Sequence, residues 1–160
     1  MDQDALSTDG KTFNKVVNID APISQVWHVL TDPELMKQWM MPDIEMTVIT
    51  DWTIGSPMII LGTMNGKNFE NRGKVLQFTP ETLLQYSHLS SISRLPDQPE
   101  SYSLIEFQLQ PDENKTILTL IINNFPTLSI YQHLAFYWNV TLEVLKRKIE
   151  KKCDHEQFTD

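Results

Sequence analysis

The strongest constraint on the fold is a stretch near the C-terminus, Ser129 to Lys152, that contains neither proline nor glycine. Its apolar residues recur at steps of three and four, which places them on one face of a helix, at Leu134, Trp138, Leu142, Leu145 and Ile149. Charged residues such as Glu143 and Lys146 fall on other faces. A helix of about six turns with one apolar face needs a surface to cover that face, and the rest of the chain is expected to supply it.

The length and the cysteine content limit the class of protein. A chain of 160 residues corresponds to one domain and can bury a core without disulfide bonds. The single cysteine, Cys153, excludes an internal disulfide framework and favours a reducing compartment. The N-terminus is polar and acidic, unlike a signal peptide, and no apolar run reaches the ~18 residues that a membrane span requires. We therefore expect a cytoplasmic protein with a flexible tail at residues 1–11, one domain at 12–152 and a second tail at 153–160.

The charge balance argues against anionic partners. The chain carries 13 Lys and Arg against 21 Asp and Glu, a net charge of -8, which repels nucleic acid and anionic membrane surfaces. A basic cluster occurs in the last turns of the predicted helix, at Lys146, Arg147, Lys148, Lys151 and Lys152. Cations there complement the negative end of the helix dipole, so the cluster needs no anionic ligand to explain it. We expect neither nucleic acid nor a membrane as a partner.

The residues before the long helix predict a sheet with two short helices. Residues 13–20 alternate as a half-buried strand does, and helical spacing follows, with Asp32 placed to cap the second helix and Pro33 in its first turn. From residue 44 onward, apolar runs alternate with turn residues, including the hairpin signal Asn65-Gly66. Gly73 is expected to mark a bulge that bends one of these strands. The chain thus predicts about seven strands.

The sequence of the last two strands predicts the register in which they pair. If residues 112–115 form a turn, Pro111 pairs with Thr116. One face of the pair then carries only apolar side chains, at Ile105, Phe107, Leu109, Leu118, Leu120 and Ile122. That face should meet the long helix. The arrangement is α+β, an antiparallel sheet with its helices on one side.

Several short sequence motifs, and the order in which they occur, resemble those of a known fold. They are Ala21-Pro22, Val26-Trp27, Leu30-Thr31-Asp32-Pro33, Trp39, Gly73, Val75, Pro80, Leu83, Tyr86, Trp138, Leu142 and Leu145. Over residues 12–150 the chain resembles the helix-grip fold of the START-like (SRPBCC) superfamily, and within it the homologues of the heat-shock-protein-90 ATPase activator. It departs from that pattern at Met40, where a second tryptophan is frequent, and at Tyr137, where glycine is common.

The resemblance implies a curved sheet wrapped around the C-terminal helix, with an apolar cavity between them that is open at one end. The superfamily uses this cavity to bind lipids, hormones and polyketides, and sometimes to catalyse cyclisation or dehydration. The residues predicted to contact a ligand are Trp39, Met58, Ile60, Phe69, His88, Phe107, Leu120, Leu134, Tyr137 and Trp138. Aromatic and aliphatic stripes of this kind also build ordinary cores, so core packing stays open as an alternative for each.

Polar residues give fewer indications. His88 shares a strand face with Tyr86 and could orient a ligand or act as a general base. If that face is exposed to solvent, His88 is an ordinary surface residue. Glu70 and Arg72 could orient a ligand or form a surface ion pair. No spacing of His or Cys predicts a metal site, and no nucleophile or phosphate-loop motif occurs. We expect no cofactor and no metal.

Three functions remain open at this point. The favoured one is a non-catalytic protein that binds a small apolar, aromatic or lipid-like ligand in the cavity. The alternatives are a cyclase- or dehydratase-type enzyme that uses the same cavity, and a co-chaperone-like interaction protein in the stress response. Homodimerisation and a chaperone partner are left open as well.

Overall fold

The computed structural model describes residues 10–158, with side chains for residues 10–151. The described residues form eight strands and three α-helices. In chain order these are β1 (Phe13–Ile19), α1 (Ile23–Thr31), α2 (Pro33–Met40), β2 (Glu45–Ile49), β3 (Ile59–Met64), β4 (Lys67–Arg72), β5 (Val75–Thr79), β6 (Leu83–Ser90), β7 (Ser103–Asp112), β8 (Lys115–Asn123) and α3 (Leu128–Phe158). Two short 3-10 turns, Ser91–Ser93 and Pro99–Ser101, lie between β6 and β7.

The strands form one antiparallel sheet in the order β1-β8-β7-β6-β4-β3-β2, and β5 pairs separately with β6. The predicted register of β7 and β8 is confirmed, because Pro111 pairs with Thr116 and the following pairs join Leu109 to Leu118 and Phe107 to Leu120. Alternation along β7 and β8 therefore places their buried apolar side chains on one face of the sheet. The predicted α+β helix-grip fold, with its two short helices after the first strand, is confirmed.

α3 covers this inner face. The stripe predicted from periodicity is buried throughout, at Leu134, Trp138, Leu142, Leu145 and Ile149. The helix runs to Phe158 rather than ending near Lys152, so residues 153–158, predicted as part of a tail, are helical. The tail predicted at 1–11 lies mostly outside the described residues, and the flexibility of both ends stays a prediction. Within residues 10–158 no helix is long and apolar enough to cross a membrane.

The predicted bend at Gly73 divides one predicted strand into two. A Cβ atom on Gly73 would lie 1.7 Å from the carbonyl oxygen of Ser87, so only glycine permits this approach of the two chains. At the bend, the backbone N–H of Met58 donates to the Gly73 carbonyl at 2.9 Å. β4 pairs with β3 and the end of β6, while β5 pairs with the rest of β6. The sheet therefore has eight strands instead of about seven.

α1 and α2 close one end of the sheet. Asp32 caps α2 as predicted, since its Oδ1 accepts a hydrogen bond from the Glu34 N–H at 2.9 Å, and Pro33 occupies the first turn. Trp39 is buried, and its indole N–H donates to the Val29 carbonyl at 3.0 Å, which ties α2 to α1. The end of α2 is thereby held beside α3.

Candidate functional site

A cavity of about 480 Å³ lies between the inner face of the sheet and the first half of α3. The side chains that line it come from the end of α2, from strands β3, β4, β6 and β7, from both 3-10 turns and from α3. They are Met40, Met41, Ile44, Ile60, Met64, Phe69, Asn71, Tyr86, His88, Leu89, Ser90, Ile92, Ser93, Ser101, Ser103, Ile105, Ser129, Ile130, His133, Leu134, Tyr137 and Trp138. This is the space that a helix-grip fold leaves when the sheet curves away from its helix.

The cavity has a mouth on the surface. Four of its lining residues are exposed, Ile92 at 60%, Met64 at 40%, and Ser129 and His133 in the first two turns of α3. They belong to the turn after β6, to the end of β3 and to α3, so the opening lies among these three segments. Residues at the other end, such as Trp138 and Ile105, are fully buried and form the floor.

The lining is apolar and uncharged. Among the described residues that line the cavity there is no Asp, Glu, Lys or Arg. A charged ligand group buried here would lose its hydration without gaining an ionic partner, which costs several kcal/mol. The cavity therefore favours an uncharged ligand with a large apolar surface.

Three titratable side chains in the wall are held neutral. His88 is half-buried and faces the cavity, and burial, with a smaller contribution from nearby His133, lowers the pKa of His88 to about 4. Burial, assisted by Tyr137, raises the pKa of Tyr86. Burial also raises the pKa of Tyr137 to about 12, and its hydroxyl donates a 2.6 Å hydrogen bond to the Met40 carbonyl. At neutral pH these groups offer hydrogen bonds rather than charge.

The remaining polar groups of the wall lie side by side on neighbouring strands. His88 on β6 pairs directly with Ser103 on β7, and Asn71 on β4 pairs with Ser90 on β6. Ser101 and Ser103 are 5% and 1% exposed. The side-chain carbonyl oxygen of Asn71 is buried and has no hydrogen-bond partner among the described residues. Asn71, His88 and Ser103 thus lie on three neighbouring strands of the wall.

The structure brings together only some of the predicted ligand contacts. Ile60, Phe69, His88, Leu134, Tyr137 and Trp138 line the cavity. Trp39, Met58, Phe107 and Leu120 are buried in the core outside it, where the rings of Trp39 and Phe107 lie 6.3 and 5.5 Å from the ring of Trp138. These four side chains therefore support the wall. Ligand contact by the six lining residues stays a prediction.

Some of the lining residues that the prediction omitted come from segments with little periodicity, and others lie on strands and helices. Met40 and Met41 lie at the end of α2, and Ser101 lies in a 3-10 turn of a loop with two prolines. Ile105 was predicted to face α3, and its alternation with Phe107 was a signal that could have identified it. The same alternation extends to Ser103, whereas Ser101 lies in a 3-10 turn, where strand alternation does not apply.

Glu70 and Arg72 lie on the other face of the sheet. Arg72 bonds to the carboxylate of Glu70 and, at 2.9 Å, to that of Asp97, and the Tyr102 hydroxyl donates to Asp97 at 2.6 Å. They border an outer groove that is separate from the cavity. The surface ion pair is therefore the correct alternative for these two residues. In the described part of the chain, no cluster of His, Cys, Asp or Glu could hold a metal ion.

A curved antiparallel sheet that grips a long C-terminal helix, with a cavity between them, defines a helix-grip protein of the START-like class. The family described as "Activator of Hsp90 ATPase homolog 1-like protein" matches residues 20–150. The chain belongs to that family, which confirms the resemblance stated from the sequence. No curated protein sequence matched it.

Solved structures of other proteins share the fold of this chain. The solution structure of ChR145 from Cytophaga hutchinsonii is 34% identical with a TM-score of 0.75, and the match covers 90% of this chain and 97% of that one. The crystal structure of CV1439 from Chromobacterium violaceum is 17% identical with a TM-score of 0.73 over 87% and 96%. The solution structure of the Aha1 dimer from Colwellia psychrerythraea is 24% identical with a TM-score of 0.65 over 88% and 96%. The latter two show the fold alone.

Proposed function

We propose that the protein binds one small, uncharged, mostly apolar or aromatic ligand in the cavity, without catalysing a reaction on it. The supporting observation is the cavity itself. Native cores leave few voids larger than a water molecule, whereas about 480 Å³ lies within the range of small-molecule sites. Its uncharged apolar lining and its mouth fit the same function.

A neutral fluorescent probe tests this proposal. N-phenyl-1-naphthylamine fluoresces strongly only in apolar surroundings, and we expect a saturable rise in its fluorescence with one site per chain. Met64→Trp combined with Ile130→Trp adds two large rings to residues of the lining near the mouth. These substitutions should weaken binding, because they obstruct access and occupy the space.

A matched variant controls for the added tryptophans. Phe136 and Val140 lie on the exposed face of α3, at 73% and 50% exposure. Phe136→Trp combined with Val140→Trp should leave the affinity for the probe unchanged. The proposal fails if the wild-type protein gives no saturable signal, or if the two double variants bind the probe equally well.

A reaction of the cyclase or dehydratase type receives less support. Of the groups considered for acid–base work, Glu70 and Arg72 border the outer groove instead of the cavity. A histidine whose pKa is about 4 is a weak base at neutral pH, so His88 is poorly matched to proton abstraction. Hydrogen bonding is the role that its environment favours.

A co-chaperone-like role in the stress response is the second candidate, and the family match is the observation that favours it. The test is whether the purified protein binds a purified Hsp90-type chaperone and changes its ATPase rate. If the two proteins do not co-elute and the ATPase rate of the chaperone does not change, the co-chaperone-like role is contradicted.

A second copy of this chain is a further candidate partner. The relative from Colwellia psychrerythraea is described as a dimer, and self-association is therefore proposed here too. Sedimentation velocity over a range of concentrations decides between monomer and dimer. A single species with the mass of one chain at all concentrations would contradict self-association.

A further inference from the structure

We propose that the ligand carries a neutral hydrogen-bonding group, of the hydroxyl or carboxamide class, and that this group binds a polar patch formed by Asn71, His88, Ser101 and Ser103. This inference rests on the proposed function and adds the chemistry of the ligand to it. The rest of the ligand would occupy the apolar part of the cavity, beside Ile60, Phe69 and Trp138.

Three members of the polar patch lie on the neighbouring strands β4, β6 and β7, and Ser101 lies in the 3-10 turn before β7. His88 and Ser103 are direct partners in the register of β6 and β7, which places their Cβ atoms about 5 Å apart. Asn71 on β4 is paired with the residue two positions after His88 on β6. Ser101 precedes Ser103 by two residues and is buried beside the same space. One small polar group could therefore reach more than one of them.

The polar patch has unused hydrogen-bonding capacity. Among the described residues, the buried side-chain carbonyl oxygen of Asn71 has no hydrogen-bond partner. Buried polar groups in native proteins are nearly always paired, so each unpaired one calls for an explanation. Asn71 Oδ1 needs a donor, neutral imidazole offers one donor and one acceptor, and a serine hydroxyl does both. A ligand O–H or carboxamide supplies this combination.

The same surroundings disfavour an ionic ligand group. No Lys or Arg lines the cavity among the described residues, so a carboxylate would find no permanent cation there. His88 is kept neutral at pH 7, and His133 is exposed at the mouth. A hydroxyl needs no compensating charge. The class is therefore a neutral polar group on an apolar or aromatic body.

Three naphthalenes of similar shape test the inference by titration calorimetry at pH 7.4. They are 2-naphthol, with a neutral hydroxyl, 2-methylnaphthalene, with no polar group, and 2-naphthoate, with an anion. We expect 2-naphthol to bind about tenfold more tightly than either of the others, as one to two hydrogen bonds predict. In Ser103→Ala and in His88→Phe, which keeps an aromatic ring, this preference for 2-naphthol over 2-methylnaphthalene should fall toward one.

Ser24→Ala is the matched control, because Ser24 is exposed on α1, far from the cavity lining, and it should keep the preference of the wild-type protein. The inference is overturned if wild-type protein binds 2-methylnaphthalene as tightly as 2-naphthol, if 2-naphthoate binds most tightly, or if both patch variants keep the preference. In those cases binding of 2-methylnaphthalene still supports the proposed function. If none of the three compounds binds and the fluorescent probe does not bind either, both proposals fall together.

Discussion

His88 connects the stability of this protein with the chemistry of its cavity. The side chains that face the same space are all uncharged or histidine, at Asn71, Tyr86, Ser103, His133 and Tyr137. No carboxylate among them can stabilise an imidazolium, and burial lowers the pKa of His88 from 6.5 to about 4. The folded state is therefore more stable when the imidazole ring of His88 is neutral than when it is protonated.

This depressed pKa predicts a loss of stability in mild acid. Between pH 6.5 and about 4 the unfolded chain binds a proton at His88 that the folded chain does not, so the free energy of unfolding falls as the pH falls through that window. The loss from this residue amounts to at most about 3 kcal/mol. Urea denaturation at a series of pH values measures it.

His88→Gln should remove that part of the pH dependence, and His28→Gln, at an exposed histidine of α1, should retain it. The comparison is between the slopes of the three proteins, since carboxylates contribute to acid unfolding in all of them. Parallel slopes for wild type and His88→Gln would show that His88 binds its proton over the same pH range in the folded and unfolded chains, which would contradict a lowered pKa.

Gly73 gives a second prediction for a single residue. Gly73→Ala should lower the free energy of unfolding by about 3 kcal/mol or more, because the new methyl group would overlap the backbone oxygen of Ser87, which cannot swing away. Gly66→Ala is the comparison, since its position is open but has a φ of 78°, and it should cost only about 1 kcal/mol. Equal losses in urea denaturation would contradict this account.

At the level of the elements, α3 derives its stability from its buried stripe. Leu142→Ala should cost about 2–5 kcal/mol, because Leu142 is completely buried between the helix and the sheet. Val140→Ala, two residues away on the exposed face, should change the free energy of unfolding by about 0.5 kcal/mol or less. Chemical denaturation of the two variants measures whether the buried stripe contributes this much to the free energy of unfolding.

Local patterns were enough to predict most of the elements. Helical periodicity identified α3 and its buried face, and alternation with a short turn gave the pairing of β7 with β8. The separation of β4 from β5 was missed, because Gly73 signals a bend without revealing that Ser87 approaches it from another strand. That contact depends on residues distant in sequence.

The candidate site was less predictable than the fold for a related reason. Ile105 and Phe107 share a strand and a face, yet only Ile105 lines the cavity while Phe107 packs in the core. Which of them meets open space depends on where the sheet curves away from α3, and side-chain alternation carries no information on curvature. Ser101 reaches the wall through a 3-10 turn that was not predicted to approach it, and from α2 it is Met40 rather than the predicted Trp39 that lines the cavity.

For the whole molecule, binding in the cavity should stabilise the fold. A ligand that binds only the folded chain adds about 2.7 kcal/mol at a free concentration 100 times its Kd. For a protein of this size that corresponds to a rise of roughly 5–10 °C in Tm. Scanning calorimetry with N-phenyl-1-naphthylamine measures the rise, and the double variant with tryptophan at positions 64 and 130 should show a smaller one. A constant Tm in wild-type protein would mean that the probe does not bind the folded state.

The hydrogen bond from the Tyr137 hydroxyl to the Met40 carbonyl, 2.6 Å long, has a consequence for the kinetics of binding. Both residues line the cavity, and the bond fastens the end of α2 to α3. A ligand that passes between α2 and α3 must separate these helices briefly, which breaks the bond in the transition state and restores it afterwards. Tyr137→Phe should therefore raise the association and dissociation rates by a similar factor, about fivefold to tenfold, with little change in Kd. Stopped-flow fluorescence measures both rates, and a changed Kd at an unchanged association rate would contradict the prediction. The residence time of the ligand would then be set by this bond, independently of the affinity.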